Sequence, residues 1–485
     1  MYEGGHKMKK RTVAEVTAAI AAAAVIFSGC GTVTTTTTTT SSSDGTESAA
    51  SSVSTEVSRE ETEAAASDAE SGSSETTADS SAKPYEGVTL SIWGISADSQ
   101  DNLNKVLDAA TEELGMTFET ELTPGGTDED NIMKTRCASG ELADLSLYQC
   151  GSTLFALNPS EYFYDLSGCD FVQKYDESYK SVVSQDGKVF GAPFGTASAG
   201  AVVYWKPDYE ELGLKVPDTW EDFVSNCQKL KDAGKTPIEL TCGDTWTTQI
   251  LFLGDNYNVV SADPDFPAEF TAGKAKFATT PAALRSWQKY GDLVDFYNDD
   301  ATAATYNDAV EALGTGQVTH YFITMAIINT IEQTYPEAKG KLGVFGVPGD
   351  DPDNHGLTVW EPKSWYVAKN SKNIDACLAF LDFFYEKDTM DMMVTLTGAD
   401  GPSCIKGYTL PETDSISDAV RIDEQAYFDA GKTAPALEFV SPVKGASCEQ
   451  ITTSAALGQI TGEEAAERYD DDCKKSALQQ DLDWE

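Results

Sequence analysis

Histidine, a frequent general acid–base and metal ligand, occurs three times in this 485-residue chain, as His6, His320 and His355. The sequence also lacks the GxxxxGK[ST], HExxH and GxSxG patterns that bind phosphate, bind zinc or present a catalytic serine. Its nearest approach to the last pattern, Thr196–Gly200, has Thr in place of the first Gly. The residue types therefore disfavour an enzyme that depends on a histidine triad or a His-rich metal site.

An acidic segment, Asp350–Gly356, resembles the beginning of a calcium-binding EF-hand loop. The twelfth position counted from Asp351 is Pro362, so the bidentate glutamate that completes such a loop is missing. We therefore interpret the segment as a turn and predict no metal and no cofactor. Glycoside hydrolysis by a pair of carboxylates stays open, because 79 acidic residues offer many pairs.

Regular secondary structure must position the polar and aromatic residues that remain as candidates. Three segments with the alternating apolar pattern of strands are separated by two with helical periodicity: Val88–Trp93, Asp101–Leu114, Met116–Leu122, Asp130–Ser139 and Ala143–Tyr148. This βαβαβ order predicts a mostly parallel sheet flanked by helices. Residues that follow Trp93 and Tyr148 would then border a ligand crevice at the carboxyl ends of the strands.

Helix-boundary signals continue along the chain. Thr219 with Asp222 three residues later predicts a capped helix start, and Pro281 suits the first turn of another helix. Gly314 is predicted to end a helix that contains Ala309–Leu313, and Thr461 begins a capping box. The alternation of strands and helices thus extends over most of the chain.

The first thirty residues have the pattern of an export signal. A basic cluster, Lys7–Arg11, precedes an Ala-rich stretch, Val16–Phe27, which is too short to span a bilayer. The stretch ends in Ser28-Gly29-Cys30, which resembles a bacterial lipobox, in which the Cys thiol is lipidated. We predict a signal peptide at residues 1–29 and a lipid anchor on Cys30.

Residues 30–84 are rich in Ser, Thr, Ala, Asp and Glu and have no aromatic residue. Such a segment cannot bury enough apolar surface to fold, so we predict a disordered tether. The anchor and tether predict a location on the extracellular face of the cytoplasmic membrane, in a Gram-positive type of envelope.

The net charge bears on the possible partners, and the cysteine content bears on disulfide formation. With 34 basic and 79 acidic residues the net charge is −45, which repels phosphate backbones and argues against nucleic-acid binding. Nine cysteines besides Cys30 form no CxxC motif. We expect mostly buried free thiols, with one or two disulfides left open.

A series of motifs, in order behind the lipobox, resembles the family 1 extracellular solute-binding proteins of bacterial ABC importers, the maltose-binding type. The resemblance covers roughly residues 88–475. Its motifs are the strand ending in Trp93, then Ala143–Tyr148, Asp186–Gly195 running into Val202–Lys206, Glu211–Leu214, Pro217–Phe223, Gly316–Tyr321, Ser371–Leu381, Gly398–Pro402 and Gly458–Glu467.

The resemblance implies a periplasmic-binding-protein-like α/β fold, with two lobes joined by crossing hinge strands that close on a ligand. Each lobe would hold a mostly parallel sheet flanked by helices. It places the crossings near 193–198, 359–364 and 410–420. Lobe 1 would comprise residues 85–193 and 365–412, and lobe 2 residues 194–364 and 413–485.

The implied ligand is a carbohydrate, an oligosaccharide, delivered to the membrane subunits of an ABC permease by a monomeric receptor that is not an enzyme. Aromatic rings stack on the apolar faces of sugars, and planar polar groups bind their hydroxyls. The family's pattern of aromatic and polar residues at the cleft selects Ser96, Asp98, Tyr148, Gln149, Ser152, Phe194, Asp244, Trp246, Trp360 and Glu361 as ligand-binding candidates.

Two departures from the family pattern disfavour a maltodextrin ligand. Met325 and the residues after it replace the Gly and Trp that frequently follow the strand containing His320, and no aromatic residue stands near Gly445. Three alternatives remain open: a surface glycosidase, a receptor for another solute such as a peptide or a polyamine, and a structural adhesin or sensor partner.

Overall fold

The computed structural model describes residues 83–123 and 126–484, without the side chains of Asp98 and Thr127. The predicted signal peptide, Cys30 and nearly all of the predicted tether lie outside the described residues. In the described part no helix is both long and apolar enough to cross a membrane.

The strands form two separate sheets and one small hairpin. In chain order they are β1 (Thr89–Ile95), β2 (Thr117–Leu122), β3 (Leu145–Tyr148), β4 (Ser184–Gln185), β5 (Lys188–Val189), β6 (Gly191–Pro193), β7 (Ser198–Trp205), β8 (Thr236–Glu239), β9 (Val318–Thr324), β10 (Leu342–Phe345), β11 (Leu357–Trp360), β12 (Ser364–Val367) and β13 (Thr433–Pro435).

Helices cover both sheets. They are α1 (Ala97–Leu114), α2 (Gly126–Ser139), α3 (Ser152–Phe155), α4 (Pro159–Tyr162), α5 (Glu177–Val182), α6 (Lys206–Leu212), α7 (Trp220–Asp232), α8 (Ile250–Gly254), α9 (Asn256–Ala262), α10 (Phe266–Thr271), α11 (Pro281–Leu293), α12 (Tyr306–Thr315), α13 (Ala326–Thr334), α14 (Ile374–Phe384), α15 (Lys387–Thr397), α16 (Gln425–Asp429), α17 (Leu437–Val440), α18 (Cys448–Ala456) and α19 (Gly462–Gln479). Single 3-10 turns lie at Asp170–Lys174, Thr245–Gln249, Val294–Phe296 and Pro336–Ala338, and a π-helical turn at Ala419–Glu424.

The first sheet has the strand order β2-β1-β3-β12-β6. Strands β1, β2 and β3 are parallel, which confirms the βαβαβ prediction. Strand β12 runs antiparallel to both β3 and β6. The second sheet has the order β13-β11-β7-β9-β8, with β10 beside the second half of β7.

The prediction of two α/β lobes with mostly parallel sheets is confirmed, because in each sheet a single strand, β12 or β7, runs against all the others. Strand β7 is antiparallel to β9, β10 and β11, whereas β8 is parallel to β9 and β13 to β11. The reason is the connection between lobes: β7 and β12 each begin at the edge where the chain has just crossed. They therefore run opposite to strands that end at that edge.

Local signals explain several helix boundaries. Thr219 accepts a hydrogen bond from the backbone N–H of Asp222, and Pro281 occupies the first position of α11, as predicted. The predicted end at Gly314 is wrong, because α12 continues to Thr315 and Gly316 takes the left-handed conformation (φ 71°). The nine described cysteines are all free thiols, and most are buried.

Candidate ligand-binding cleft

Two sheet edges face each other across two short connections. In the first sheet Tyr148, Pro193 and Ser364 are register partners, so the ends of β3 and β6 lie beside the beginning of β12. In the second sheet Ser198 pairs with Trp360, at the beginning of β7 and the end of β11. Residues 194–197 and 361–363 join these edges, and each spans at most about 14 Å. The segments that follow the strand ends therefore border one cleft.

The two connections are hydrogen-bonded to each other. The backbone N–H of Phe194 donates to the carbonyl of Lys363 at 2.8 Å. The ammonium of Lys363 lies 2.6 Å from the carboxylate of Glu129 in the first turn of α2. Lys363 thus ties both connections to the wall of the first lobe.

Three of the predicted binding residues lie on the edge of the first lobe. Ser96 precedes α1, and its hydroxyl donates to Ser99 at 2.9 Å. Gln149 is half-buried directly after β3. Asp98 lies in the first turn of α1, and its side chain is outside the described part. Ser96 and Gln149 thus place polar groups at this edge and stay candidates for binding a ligand.

Ser152 makes a contact between the lobes. Its hydroxyl donates to the backbone carbonyl of Glu438, in α17 of the second lobe, at 2.7 Å. A Cβ on the neighbouring Gly151 would overlap the carbonyl group of Phe439. In this structure the polar group predicted to bind a sugar hydroxyl instead holds α17 against the first lobe.

Tyr148 is not an exposed platform for stacking. Its side chain has 0% exposure and packs in a cluster with Trp93 and Met133. Its hydroxyl donates to Asp130 at 2.7 Å, and burial raises its pKa. Strand β3 is buried on both faces, so the strand-end position does not make its last side chain face the cleft.

Phe194 is half-buried at the first connection. Its ring lies 5.2 Å from Trp365 and 5.9 Å from Phe384, both in the core of the first lobe. Its contacts anchor the hinge, and its remaining exposed surface leaves it a candidate wall residue.

Asp244 and Trp246 lie together on the edge of the second lobe, after β8. The carboxylate of Asp244 accepts a hydrogen bond from the backbone N–H of Tyr306 at 2.8 Å. The rings of Trp246 and Tyr306 are 5.7 Å apart and tilted by 35°. Both rings are half-buried, so each has surface available for an apolar ligand face.

Trp360 forms a second aromatic and carboxylate pair on this edge. Its indole N–H donates to Glu438 at 2.7 Å, and the other carboxylate oxygen of Glu438 lies 2.7 Å from the ammonium of Lys444. The indole also packs on Gly200, where a Cβ would lie 2.6 Å from the ring. The indole is thus fixed on its N–H edge and by contact with β7.

Glu361 does not lie on the cleft wall with Trp360. It is 6% exposed, accepts a hydrogen bond from Ser178 at 2.6 Å and lies 3.5 Å from the Cys404 sulfur. Burial raises the pKa of Glu361 to about 7, and the neighbouring Asp176 contributes. The structure thus turns the Glu361 side chain away from that of Trp360, because successive side chains of an extended segment point in opposite directions.

No sequence pattern marks Glu438 or Lys444, which lie at and after the short helix α17. Tyr306 could have been found: it is the first residue of α12, whose capping box joins Thr305 and Asp308. This box fixes the helix start and so places Tyr306 against Trp246.

A metal centre has no support in the described ranges, where no group of three or more His, Cys, Asp or Glu side chains could hold an ion. The acidic segment at Asp350 forms a turn in which the backbone N–H of Asp353 donates to Asp351 at 3.0 Å. Asp350 pairs with Arg285 at 2.9 Å. The prediction of a turn is therefore confirmed.

Residues 105–421 match the model of the family described as bacterial extracellular solute-binding protein. A curated relative, the multiple sugar-binding protein of Streptococcus mutans, is 24% identical over 324 residues, or 63% of this chain and 74% of the relative. The melibiose/raffinose/stachyose-binding protein MelE of Bacillus subtilis is 23% identical over 324 residues, or 63% of this chain and 72% of the relative.

Solved structures share the fold. The apo form of RafE from Streptococcus pneumoniae is 19% identical and superposes with a TM-score of 0.67, covering 82% of this chain and 100% of that one. A binding protein of Bacillus subtilis in an open conformation is 18% identical with a TM-score of 0.66, again covering 82% and 100%. These likenesses establish the two-lobed architecture.

Proposed function

The chain belongs to the bacterial extracellular solute-binding proteins, and from that membership we propose that it captures an extracellular oligosaccharide between its lobes and delivers it to the permease of an ABC importer. The relatives named above are sugar-binding proteins by name, and RafE has been crystallised with raffinose. Members of the family bind solutes and are not enzymes, so the glycosidase alternative is set aside.

One observation carries the sugar assignment. The edge of the second lobe presents two half-buried indoles, Trp246 and Trp360, each beside a carboxylate, Asp244 and Glu438. Aromatic faces suit the C–H faces of pyranoses, and carboxylates accept hydrogen bonds from their hydroxyls. Ser96 and Gln149 lie on the opposite edge and add polar groups.

The lobe boundaries belong to the same proposal. Lobe 1 comprises residues 85–193 and 365–412, and lobe 2 comprises 194–364 and 413–485. The division is supported by β6 and β12, which lie in the first sheet, and by β7, β11 and β13, which lie in the second.

The anchoring is also proposed. Lipid on Cys30 and the tether of residues 30–84 would hold a monomeric receptor at the extracellular face of the cytoplasmic membrane. Each lobe would then contact the permease after ligand is captured. The signal, lipobox and composition of the sequence support this arrangement.

A thermal-shift screen with mono- and oligosaccharides tests the proposal, followed by titration calorimetry of each sugar that binds. A ligand at 100 times its Kd stabilises the folded state by about 2.7 kcal/mol, which moves the melting temperature measurably. Trp246→Ala should weaken binding by ~10-fold or more, whereas Trp220→Phe, in the core of the second lobe, should not. Stabilisation by polyamines or peptides, with none by sugars, would overturn the carbohydrate assignment.

A further inference from the structure

The charged groups at the strand ends are strongly unbalanced. The segments considered at the cleft are 126–130, 243–246, 361–363, 399–402 and 438–449. They carry carboxylates on both edges, and their described acidic residues are Asp128, Glu129, Asp130, Asp244, Glu361, Asp400, Glu438 and Glu449. The described residues of these same segments include two basic side chains, Lys363 and Lys444.

Both basic groups are already paired. Lys363 lies 2.6 Å from Glu129, and Lys444 lies 2.7 Å from Glu438. Burial opposes the charge of Lys444, but Glu438 and, to a smaller extent, Glu449 raise its pKa overall. Each ammonium therefore has its charge compensated by protein carboxylates and is not available to compensate a ligand's negative charge.

Other carboxylates on the second lobe's edge have neutral partners. Asp244 accepts from the backbone N–H of Tyr306, and Glu449 accepts from the hydroxyl of Thr245 at 2.8 Å. Within the described residues neither forms an ion pair with Lys or Arg. A ligand carboxylate beside Trp246 would thus meet the unpaired negative charges of Asp244 and Glu449. One beside Trp360 would meet Glu438, whose pairing with Lys444 leaves that ammonium unavailable to the ligand.

We infer that this cleft selects uncharged saccharides and discriminates against acidic ones, such as sugars that carry a uronic acid, through the carboxylates around Trp246 and Trp360. The inference rests on the proposed function and deepens it. Glu438 is central, because it lies between the indole of Trp360 and the ammonium of Lys444. Hydroxyl groups can donate to the carboxylates, whereas a carboxylate ligand at neutral pH cannot.

Matched pairs of sugars test the inference. Raffinose and melibiose are compared by calorimetry with their derivatives in which the galactose C6 hydroxymethyl group is oxidised to a carboxylate. We expect each acidic derivative to bind ~10-fold or more weakly at low salt. The difference should shrink at 0.5 M NaCl, because salt screens partly exposed charges.

Two variants move the discrimination in opposite directions. Glu438→Gln leaves Lys444 uncompensated and should narrow the difference several-fold, whereas Lys444→Met leaves Glu438 uncompensated and should widen it. Glu467→Gln removes an exposed carboxylate of α19, outside these segments, and should leave the difference unchanged. Melting temperatures of the three variants verify that each is folded.

The results distinguish a failure of the charge selection from a failure of the proposed sugar binding. Two outcomes would overturn the charge selection: equal or tighter binding of the acidic derivatives, or a difference in affinity that the Glu438 and Lys444 substitutions do not change. In both cases the proposed function as a sugar receptor would still stand. If neither form of any sugar binds, the proposed function fails, and the selectivity fails with it.

Discussion

Two fully buried carboxylates in this molecule have opposite surroundings. Asp255, in the second lobe, is 1% exposed and is paired with Lys289, with further hydrogen bonds from Ser286 and Asn258 at 2.6 Å. Glu424, in the π-helical turn behind the hinge, is 0% exposed. Neither oxygen of Glu424 has a hydrogen-bond partner among the described residues.

The difference is one of protonation: the surroundings of Asp255 favour the ionised carboxylate, and those of Glu424 favour the protonated carboxylic acid. Lys289 also donates to the carbonyl of Pro348 at 2.7 Å and lies 4.9 Å from the ring of Trp220, so its ammonium is compensated from several sides. Burial and the nearby Asp400 raise the pKa of Glu424, which favours its neutral form. Glu361 is intermediate, because its two contacts are the uncharged groups of Ser178 and Cys404.

The largest effect should come from removing the cation. Lys289→Met leaves Asp255 buried and uncompensated, so we expect the free energy of unfolding to fall by about 3–5 kcal/mol. Urea denaturation measures this change. The double variant Lys289→Met with Asp255→Leu should recover a large part of the loss, and a double variant as unstable as the single one would contradict the pairing.

The next effect is a pH dependence at Glu361. Its pKa is raised to about 7 from an ordinary value of 4.5, so the folded protein keeps a proton that the unfolded chain releases between these values. Stability from this group is therefore complete below pH 4.5 and is lost as pH rises to 7, by at most about 3 kcal/mol.

Glu361→Gln isolates that contribution from other titrating groups. The variant should lose less stability than the parent protein between pH 5 and 7.5, as measured by urea denaturation at each pH. Parallel curves for the two proteins would show that Glu361 does not titrate in this window.

A smaller gain is expected from replacing the carboxyl group that has no partner. Glu424→Met keeps the approximate size of the side chain and removes the buried polar atoms, so the free energy of unfolding should rise by about 1–3 kcal/mol. Glu467→Met, at an exposed position of α19, is the control and should change stability little. A loss of stability in Glu424→Met would mean that the carboxyl group has a stabilising role.

The smallest change in stability is expected from removing one hydrogen bond to Glu438, a partly exposed carboxylate. Trp360→Phe removes the indole N–H that donates to Glu438, but Glu438 keeps Lys444 and access to water. We expect a loss of about 1 kcal/mol or less in unfolding free energy, since exposed groups replace a lost partner with water. A loss comparable to that of Lys289→Met would place Glu438 among the buried charges.

Sequence reasoning located the elements better than the side-chain directions. Strands β1, β2 and β3 were predictable because their alternating apolar residues and glycine-ended helices are local signals. The antiparallel entry of β7 and β12 was not, because it depends on how the chain crosses between lobes. Tyr148 and Glu361 were placed on the cleft by the family resemblance, from their positions at the end of a strand and at a crossing. The pleat and burial of their segments turn both side chains inward.

The position of Glu438 beside Trp360 could not be predicted from the sequence, for a different reason. Strand β13 is three residues long and ends in Pro435, so it is too short to show the alternating pattern that predicts a strand. Its pairing with β11 nevertheless brings α17 beside Trp360. Long-range pairing of a short segment thus assembled a part of the candidate site that local patterns could not reveal.

The contact between Trp360 and Gly200 means that a substitution at Gly200 can move the indole indirectly. Gly200 has no left-handed backbone conformation, so an alanine there would be resisted mainly by the indole ring, 2.6 Å from the added Cβ, and less by the backbone of Gly254 at 3.3 Å. Such a methyl group would displace the ring and change the width of the space beside it. A substitution at Gly200 would therefore change the space beside Trp360 from below, without adding any atom to that space.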